Sequence, residues 1–470
     1  MVTVPRQRRG TPPIPRSRRS LLGRFAVLTF VIDTTKYALR GGRSYYAWMT
    51  VLGAVMAFGG YAYTEQARHG LSVTGMNDHV SWGLYISNFT FLVGVAAAAV
   101  MLVLPTYIIK DVDFRNAVLI GEGTAVGALI MCLAFVTVDL GGPERFWHLI
   151  PGIGRFNWPT SLLSWDIIVL NGYLALNVGI PFYLLFQKYR DRPANKRAYV
   201  PFVVLSVFWA VSIHMVTAFL YASQPARPFW NNALLGPRFL ASAFCAGPAL
   251  IILILYFIRT HSAYEVKDET FRKLALIITG AAQINLIMLF SELFKEFYHP
   301  TQHSASAVYL FFGLHGHNAL VPWIWPALIA NVSCTIVLTL NPLRRRMAVL
   351  LPTCAVLFTA VWVEKGMGLI VPGFTPSPLG EVAEYFPSWV EIAITLGIWA
   401  LGISIVTVLV RTAIAIELGE VVYDRPRYFV PRAYEPRTFY KPSTDLPFKL
   451  KKFKPRMPSY GIKRPPWEQG

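Results

Sequence analysis

The chain has 470 residues, of which 54% are hydrophobic and 15% charged, with a mean hydropathy of +0.45. A water-soluble domain carries about 25% charged residues, so this composition excludes an ordinary soluble fold. The net charge of +19 sits mostly in the two ends of the chain. Beside so many apolar runs, the basic stretch 449–454 (KLKKFK) suits anionic lipid headgroups or a cytoplasmic partner, and no nucleic-acid partner is expected.

Taken in chain order, residues 1–44 form a basic N-terminal extension that leads through Asp33 and Lys36 without a recognisable cleavable signal. Ten apolar runs follow, each long enough to cross a hydrocarbon core of about 30 Å as a helix. They predict spans at 45–64, 82–109, 117–139, 163–187, 200–222, 239–258, 274–294, 319–340, 348–369 and 389–410. The apolar stretch 308–314, just before the eighth span, reads equally as a re-entrant turn, a short interfacial helix or part of a longer helix. Residues 417–470 are basic and proline-rich with no apolar period, which predicts an extended cytoplasmic arm. The fold class expected is therefore an all-α integral membrane protein with about ten transmembrane helices.

Basic residues orient the spans. If both ends and the even-to-odd connections share one side, that side holds 37 of the 44 lysines and arginines. Short loops rich in lysine and arginine stay in the cytoplasm. The expectation is a multi-pass protein of a bacterial cytoplasmic (inner) membrane, N-terminus in and C-terminus in.

Cys132, Cys245, Cys334 and Cys354 all fall inside predicted spans, and the sequence contains neither CxxC nor CxxCH. An iron–sulfur cluster needs grouped thiolates and a c-type haem needs its attachment motif, so neither is encoded. His214 is the one histidine well inside a span, which leaves a b-type haem without a facing pair. No metal site is expected, and a partner must carry any redox metal.

Ionisable groups in a membrane are costly and are read first as functional. Asp139 ends the third span and Asp166 begins the fourth, with His214 in the outer half of the fifth. Glu292, Lys295 and Glu296 end the seventh, His315 and His317 open the eighth, and Glu364 and Lys365 close the ninth. All of these lie toward the predicted outer face; Glu122, near the cytoplasmic end of the third span, is the exception. Plainer readings exist for each. Lys295 pairs with Glu292 or Glu296 in an interfacial ion pair, Glu364 and Lys365 snorkel, Asp139 and Asp166 cap helices, and His214 is an interhelical hydrogen bonder. Together they form a titratable outer face suited to proton exchange with a quinone headgroup. Glu122, Glu292, Lys295, Glu364 and Lys365 outline a possible proton path.

Between the third and fourth spans runs DLGGPERFWHLIPG, followed by NWPTSLLSWDIIVLNGY. With HVSWGLYISNFTFLVGVAAAAVML, SIHMVTAFLYASQPARPFWNNALLGPRFLASAFCAGP, YLFFGLHGHNALVP and VEKGMGLIVPGFTPSPLGEVAEYFP, it resembles the NrfD or polysulfide-reductase membrane-subunit family. The likeness runs from about 48 to 416 and is greatest to the DsrP branch, membrane subunits of complexes associated with dissimilatory sulfur metabolism. It implies two four-helix bundles, about 82–222 and 239–369, flanked by the first and tenth helices within a membrane domain 45–416.

The resemblance further implies a quinone pocket on His79, Trp82, Tyr85, Asn88, Asp139, Arg145, His148 and Asp166, with Asp166 and His148 or His79 exchanging protons. His214 is grouped with this pocket by its depth. The implied cofactor is menaquinone or another quinone. The implied partners are a periplasmic ferredoxin-like iron–sulfur subunit and other membrane and haem-bearing subunits of an oxidoreductase complex, without which this chain is not catalytic. The competing expectations are a proton- or solute-translocating transporter and a membrane anchor without chemistry.

Overall fold

The computed structural model describes residues 16–423 apart from 104–105, 108–112, 115, 151, 299–300 and 302–303; side chains are described from residue 26 onward, without that of 98. The first fifteen residues, the tail beyond 423 with its KLKKFK stretch, and the predicted end of the second span at Ile109 lie outside the described residues.

The helices in chain order are α1 (Arg16–Leu39), α2 (Arg43–His69), α3 (Leu84–Ala96), α4 (Val100–Val103), α5 (Val118–Asp139), α6 (Leu162–Tyr189), α7 (Lys196–Ala222) and α8 (Leu235–His261). They continue with α9 (Asp268–Tyr298), α10 (Ala305–Phe312), α11 (Val321–Thr339), α12 (Asn341–Arg344), α13 (Met347–Lys365), α14 (Met367–Phe374) and α15 (Trp389–Glu417). Among the described residues no strand forms beyond one isolated bridge between Leu314 and His317. The chain is an all-α integral membrane protein: nine described helices are long and apolar enough to cross a bilayer, with α3 to α4 and α13 to α14 each counted as one.

The predicted first span forms as α2, which at 27 residues is long enough to cross. Its tyrosines, glycines, Glu65 and Gln66 make it less apolar than the nine. It is held by close packing instead. A Cβ on Gly59 would lie 2.8 Å from Gly397 Cα, so two glycines let α2 and α15 approach backbone to backbone.

Helices α3 to α7 close one ring of packed neighbours, in which α3 meets α5, α5 meets α6, α6 meets α7, and α7 returns to α3. A second ring runs α8 to α9 to α11 to α13 and back to α8. The rings meet where α8 lies against α3 and α7, and α15 lies along α5 with α2 packed against it. The ambiguous 308–314 stretch forms the short helix α10 and a turn, with Gly313 at φ 82 and Leu314 bonded both ways to His317.

The N-terminal extension contributes α1, whose Phe30 is buried against Tyr189, Ala415 and Ile416 at the expected cytoplasmic ends of α6 and α15. At that same face, Asp113 bridges Lys267 and Lys273 at 2.9 Å each and ties the segment before α5 to the α8–α9 turn.

Candidate functional site

Asp139, Asp166, Tyr221, Arg238, Glu292, Glu364 and Glu391 all sit near helix ends that share one face, the expected outer one. Helix packing sorts them into two polar clusters.

The first cluster lies inside the first ring. Asp166 is only 2% exposed and accepts a hydrogen bond from Thr217 Oγ1 at 2.9 Å. Helix α6 begins after Ser161, so Asp166 is a full turn inside and does not cap the helix. On α7, His214, Thr217 and Tyr221 recur at i, i+3 and i+7 and form its inward stripe. His214 is fully buried, and its Nδ1 lies 2.8 Å from the Ala210 carbonyl. A carbonyl can only accept, so Nδ1 carries the proton and Nε2 is an acceptor; that Nε2 has no partner. Tyr221 meets Thr90 of α3 at 2.5 Å, and Thr90 itself donates to Ile86 O, so the tyrosine donates to the threonine.

Nearby, Tyr85 donates to Gln66 Oε1 at 2.7 Å, and Gln66 donates to Val138 O at 2.6 Å, beside the half-buried Asp139. Asp139 Oδ1 has no hydrogen-bond partner. Trp82 stacks on Trp230 at 5.7 Å and meets Tyr221 and Phe374 edge-on, which puts an aromatic wall over the cluster.

Other residues singled out from the sequence lie elsewhere or are engaged. Asn88 Oδ1 accepts from the indoles of Trp362 at 3.1 Å and Trp399 at 2.9 Å, while its Nδ2 donates to Leu84 O. Its amide thus pins α3 to α13 and α15. His79 is exposed, 3.6 Å from Glu381. Arg145 is exposed beside Glu144, and His148 is exposed and stacked on Trp147 at 3.8 Å. Neither histidine has a hydrogen bond to the buried cluster among the described residues. His317 faces Glu384 at 3.6 Å, and His315 sits at φ 52 in the turn after α10.

The second cluster fills the outer half of the second ring. Arg238 pairs with Glu292, and its Nη2 donates to Glu364 Oε1 at 2.7 Å. Glu364 Oε2 accepts from Asn331 Nδ2 at 2.7 Å, and Lys365 Nζ lies 3.5 Å from Glu364. Glu292 therefore pairs across helices rather than with Lys295, which is exposed and 3.3 Å from Glu296. Glu364 and Lys365 do not snorkel, since both are buried. They occupy the end of α13, where the helix breaks at Gly366 and a Cβ would meet Trp362 O at 2.6 Å. Glu122 stands apart in α5, 2% exposed, with Oε2 unpartnered.

Two cavities adjoin this cluster. One, of about 30 Å³, is lined by Arg238, Glu292, Glu296, Glu364 and Lys365 at one side and elsewhere by Phe229 and apolar residues of α9, α10, α11 and α14. A smaller one of about 10 Å³, between the rings, is bordered by Thr90, Ser242 and Lys365.

Sequence reasoning missed the central part of Arg238 and the roles of Thr90, Thr217, Tyr221 and Asn331. An arginine opening an apolar span is itself a signal. The hydroxyls and amide carry none until their helices are packed. Glu391, also missed, is fully buried; it accepts from Tyr385 at 2.5 Å and Gly75 N at 2.6 Å, and closes a capping box with Ser388. Burial and the neighbouring Glu391 push the Tyr385 hydroxyl above its ordinary range, so it stays a donor. Among the described residues no group of three or more His, Cys, Asp or Glu side chains is placed to hold a metal ion.

The profile of the family described as polysulphide reductase, NrfD, matches residues 72–375. The chain is 26% identical over 331 residues to an Archaeoglobus fulgidus protein named Hdr-like menaquinol oxidoreductase integral membrane subunit; the match spans 70% of this chain and 79% of that one. It is 25% identical over 397 residues to a Halobacterium salinarum protein provisionally named as a dimethyl sulfoxide reductase membrane subunit, with 76% of this chain and 89% of that one matched. Identity to a selenate reductase subunit of Mesobacillus selenatarsenatis is 23% over 288 residues, across 54% of this chain and 66% of the relative.

Proposed function

This chain belongs to the NrfD, or polysulphide reductase, family, and from that premise we propose that it is the quinone-interacting membrane subunit of a multi-subunit oxidoreductase complex. In this reading it passes electrons between menaquinol or menaquinone and an iron–sulfur partner at the outer face of a bacterial cytoplasmic membrane, in sulfur-compound respiration alongside haem-bearing subunits. Both chain ends are cytoplasmic. The name of one relative, a menaquinol oxidoreductase integral membrane subunit, supports the quinone.

The observation that carries the proposal is the buried Asp166 cluster, in which two acceptor atoms, His214 Nε2 and Asp139 Oδ1, lack partners. A quinone headgroup fits such a set because it needs a base for its hydroxyl proton and hydrogen bonds to its oxygens. When bound, the quinone supplies the two-electron, two-proton couple. Thr217 holds Asp166 by Oδ1 and leaves Oδ2 to exchange a proton. His214 offers its Nε2 lone pair to a hydroxyl. Trp82, Trp230 and Phe374 exclude water from above and orient a flat ring.

A transporter is the second reading, favoured by Glu122, a buried carboxylate on the cytoplasmic half with an unpartnered oxygen. The deciding experiment is Asp166→Asn in the assembled complex. Asparagine keeps size and can accept from Thr217 but takes no proton, so quinone should stay bound on lipid extraction while quinone-linked turnover falls roughly 100-fold or more. Wild-type turnover would remove Asp166 from the mechanism.

A further inference from the structure

Helix α1 is not among the described helices apolar enough to cross a bilayer, and the function proposed above makes no use of it. Its depth is fixed at two points. Phe30 meets the rings of Phe182, Phe186 and Tyr189 at 5.3, 5.6 and 5.2 Å, along the flank of α6 over its last two turns, so α1 packs beside the membrane-spanning bundle and not beneath it. Further along, the Arg40 carbonyl accepts from Arg411, within the last two turns of α15, and the Leu39 carbonyl accepts from Tyr46 at 3.0 Å. The helix advances about 15 Å between Phe30 and Arg40, yet both are held at the same end of the bundle. It therefore lies along the membrane boundary, beside Tyr45, Tyr46 and Trp48, aromatic residues that open α2 at headgroup depth.

The two faces of α1 differ. Ala26, Phe30, Asp33 and Tyr37 turn inward: the first two are buried, Asp33 accepts from Tyr189 at 2.6 Å, and Tyr37 donates to Glu420 at 2.7 Å. Val27, Leu28, Val31, Ile32 and Leu39 point the opposite way and are 40–70% exposed. An aliphatic stripe turned away from the bundle at this depth meets acyl chains. Charge then selects the lipid, because residues 1–43 carry ten arginines and lysines and a single acidic residue, the engaged Asp33. Lys36, Arg40 and Arg43 are exposed toward one end of the stripe, and Arg24 precedes the other. A basic amphipathic helix of this kind draws anionic headgroups. The stripe has no aromatic or arginine anchor of the sort that centres a protein interface.

We propose that α1 is a binding site for anionic phospholipid, the headgroup phosphate held by Arg24, Arg40 and Arg43 and the acyl chains lying on Val27, Val31 and Ile32. Which leaflet supplies the lipid follows from the orientation proposed above; the site rests on α1 alone.

The experiment is photolabelling of the intact complex in phosphatidylcholine nanodiscs that contain a trace of phosphatidylglycerol bearing a diazirine in its acyl chain, followed by peptide mapping. The expected result is label within 27–39 that excess phosphatidylglycerol displaces at least tenfold better than excess phosphatidylcholine. Arg24→Gln, Arg40→Gln and Arg43→Gln together should lower that label at least tenfold without changing label on the spans. Lysine at the same three positions should restore it, which a merely structural loss would not allow. Should the triple glutamine variant fail to assemble on size exclusion, Arg43→Gln alone should lower the label about fivefold. Label displaced equally by both lipids, or label that persists in the glutamine variants, overturns the site. So does an unlabelled 27–39 segment beside labelled spans, the outcome expected where a protein subunit covers this face. Each of these results leaves the proposed function standing.

Discussion

Arg238→Met tests how the second cluster is held. The arginine is buried, its Nη2 sits 2.7 Å from Glu364 Oε1, and it also pairs with Glu292. At an effective dielectric near 20, two unit charges about 4 Å apart interact by about 4 kcal/mol, and Arg238 engages two carboxylates at closer range. Its removal leaves Glu292 and Glu364 with Lys365, 3.5 Å from Glu364, as the remaining buried cation. Methionine fills much of the volume, so the loss comes chiefly from uncompensated charge, and removing one member of a buried pair costs about 3–5 kcal/mol. Equilibrium unfolding in mixed micelles would read this as a large drop in midpoint. Adding Glu364→Gln to Arg238→Met should recover part of it, with a coupling of about 0.5–3 kcal/mol, because the stranded charge is then gone. A single-variant loss under about 1 kcal/mol, or a double variant weaker than the sum of the singles, would refute the claim that these charges are mutually compensated.

Asn88→Leu removes the acceptor of two half-buried indoles and should cost about 2 kcal/mol with a changed tryptophan emission, at about 1–3 kcal/mol per unmet donor; Asn88→Asp keeps the acceptor and should retain the emission spectrum. Hydrogen bonds from Lys273 and then Lys267 hold the Asp113 carboxyl below its ordinary value. A depressed aspartate stabilises the fold above its unfolded-state value near about 3.9 and loses that contribution as pH falls through the lower folded value. Limited proteolysis of the 262–267 turn should therefore be constant at neutral pH and accelerate only in acid, and Asp113→Asn should remove that acid step. For topology, a reporter after Gly470 and a tag at 190–195 should read cytoplasmic while a tag near Ser377 reads the opposite side; a non-cytoplasmic C-terminus would invert the face assigned to both clusters.

The sequence by itself determined which apolar runs are helices and which polar residues share a membrane face, but not the helix α1 within the basic extension. Apolar runs of membrane length leave a backbone no way to satisfy its N–H and C=O groups in lipid except by helix. A carboxylate in such a run is conspicuous wherever it points, so Asp166, Glu292 and Glu364 could be singled out before any fold was known. The DLGGPERFWH loop likewise carried a family likeness that the NrfD match bears out.

Which of these residues meet was decided only by tertiary structure. Lys295 and Glu292 lie three apart on one helix, yet Lys295 faces outward and Glu292 reaches Arg238 on another. Helical rotation separates neighbours in sequence and joins residues 54 positions apart. The partners of Asp166 and Asn88 are a threonine and two tryptophans, residue types so ordinary in spans that no pattern marks them. His79 and His148 sit on exposed loops, whose path is set by what the helices beneath them leave uncovered. The cavity beside Lys365 has no sequence signature at all, because it is the space that five helices and a break at Gly366 fail to fill.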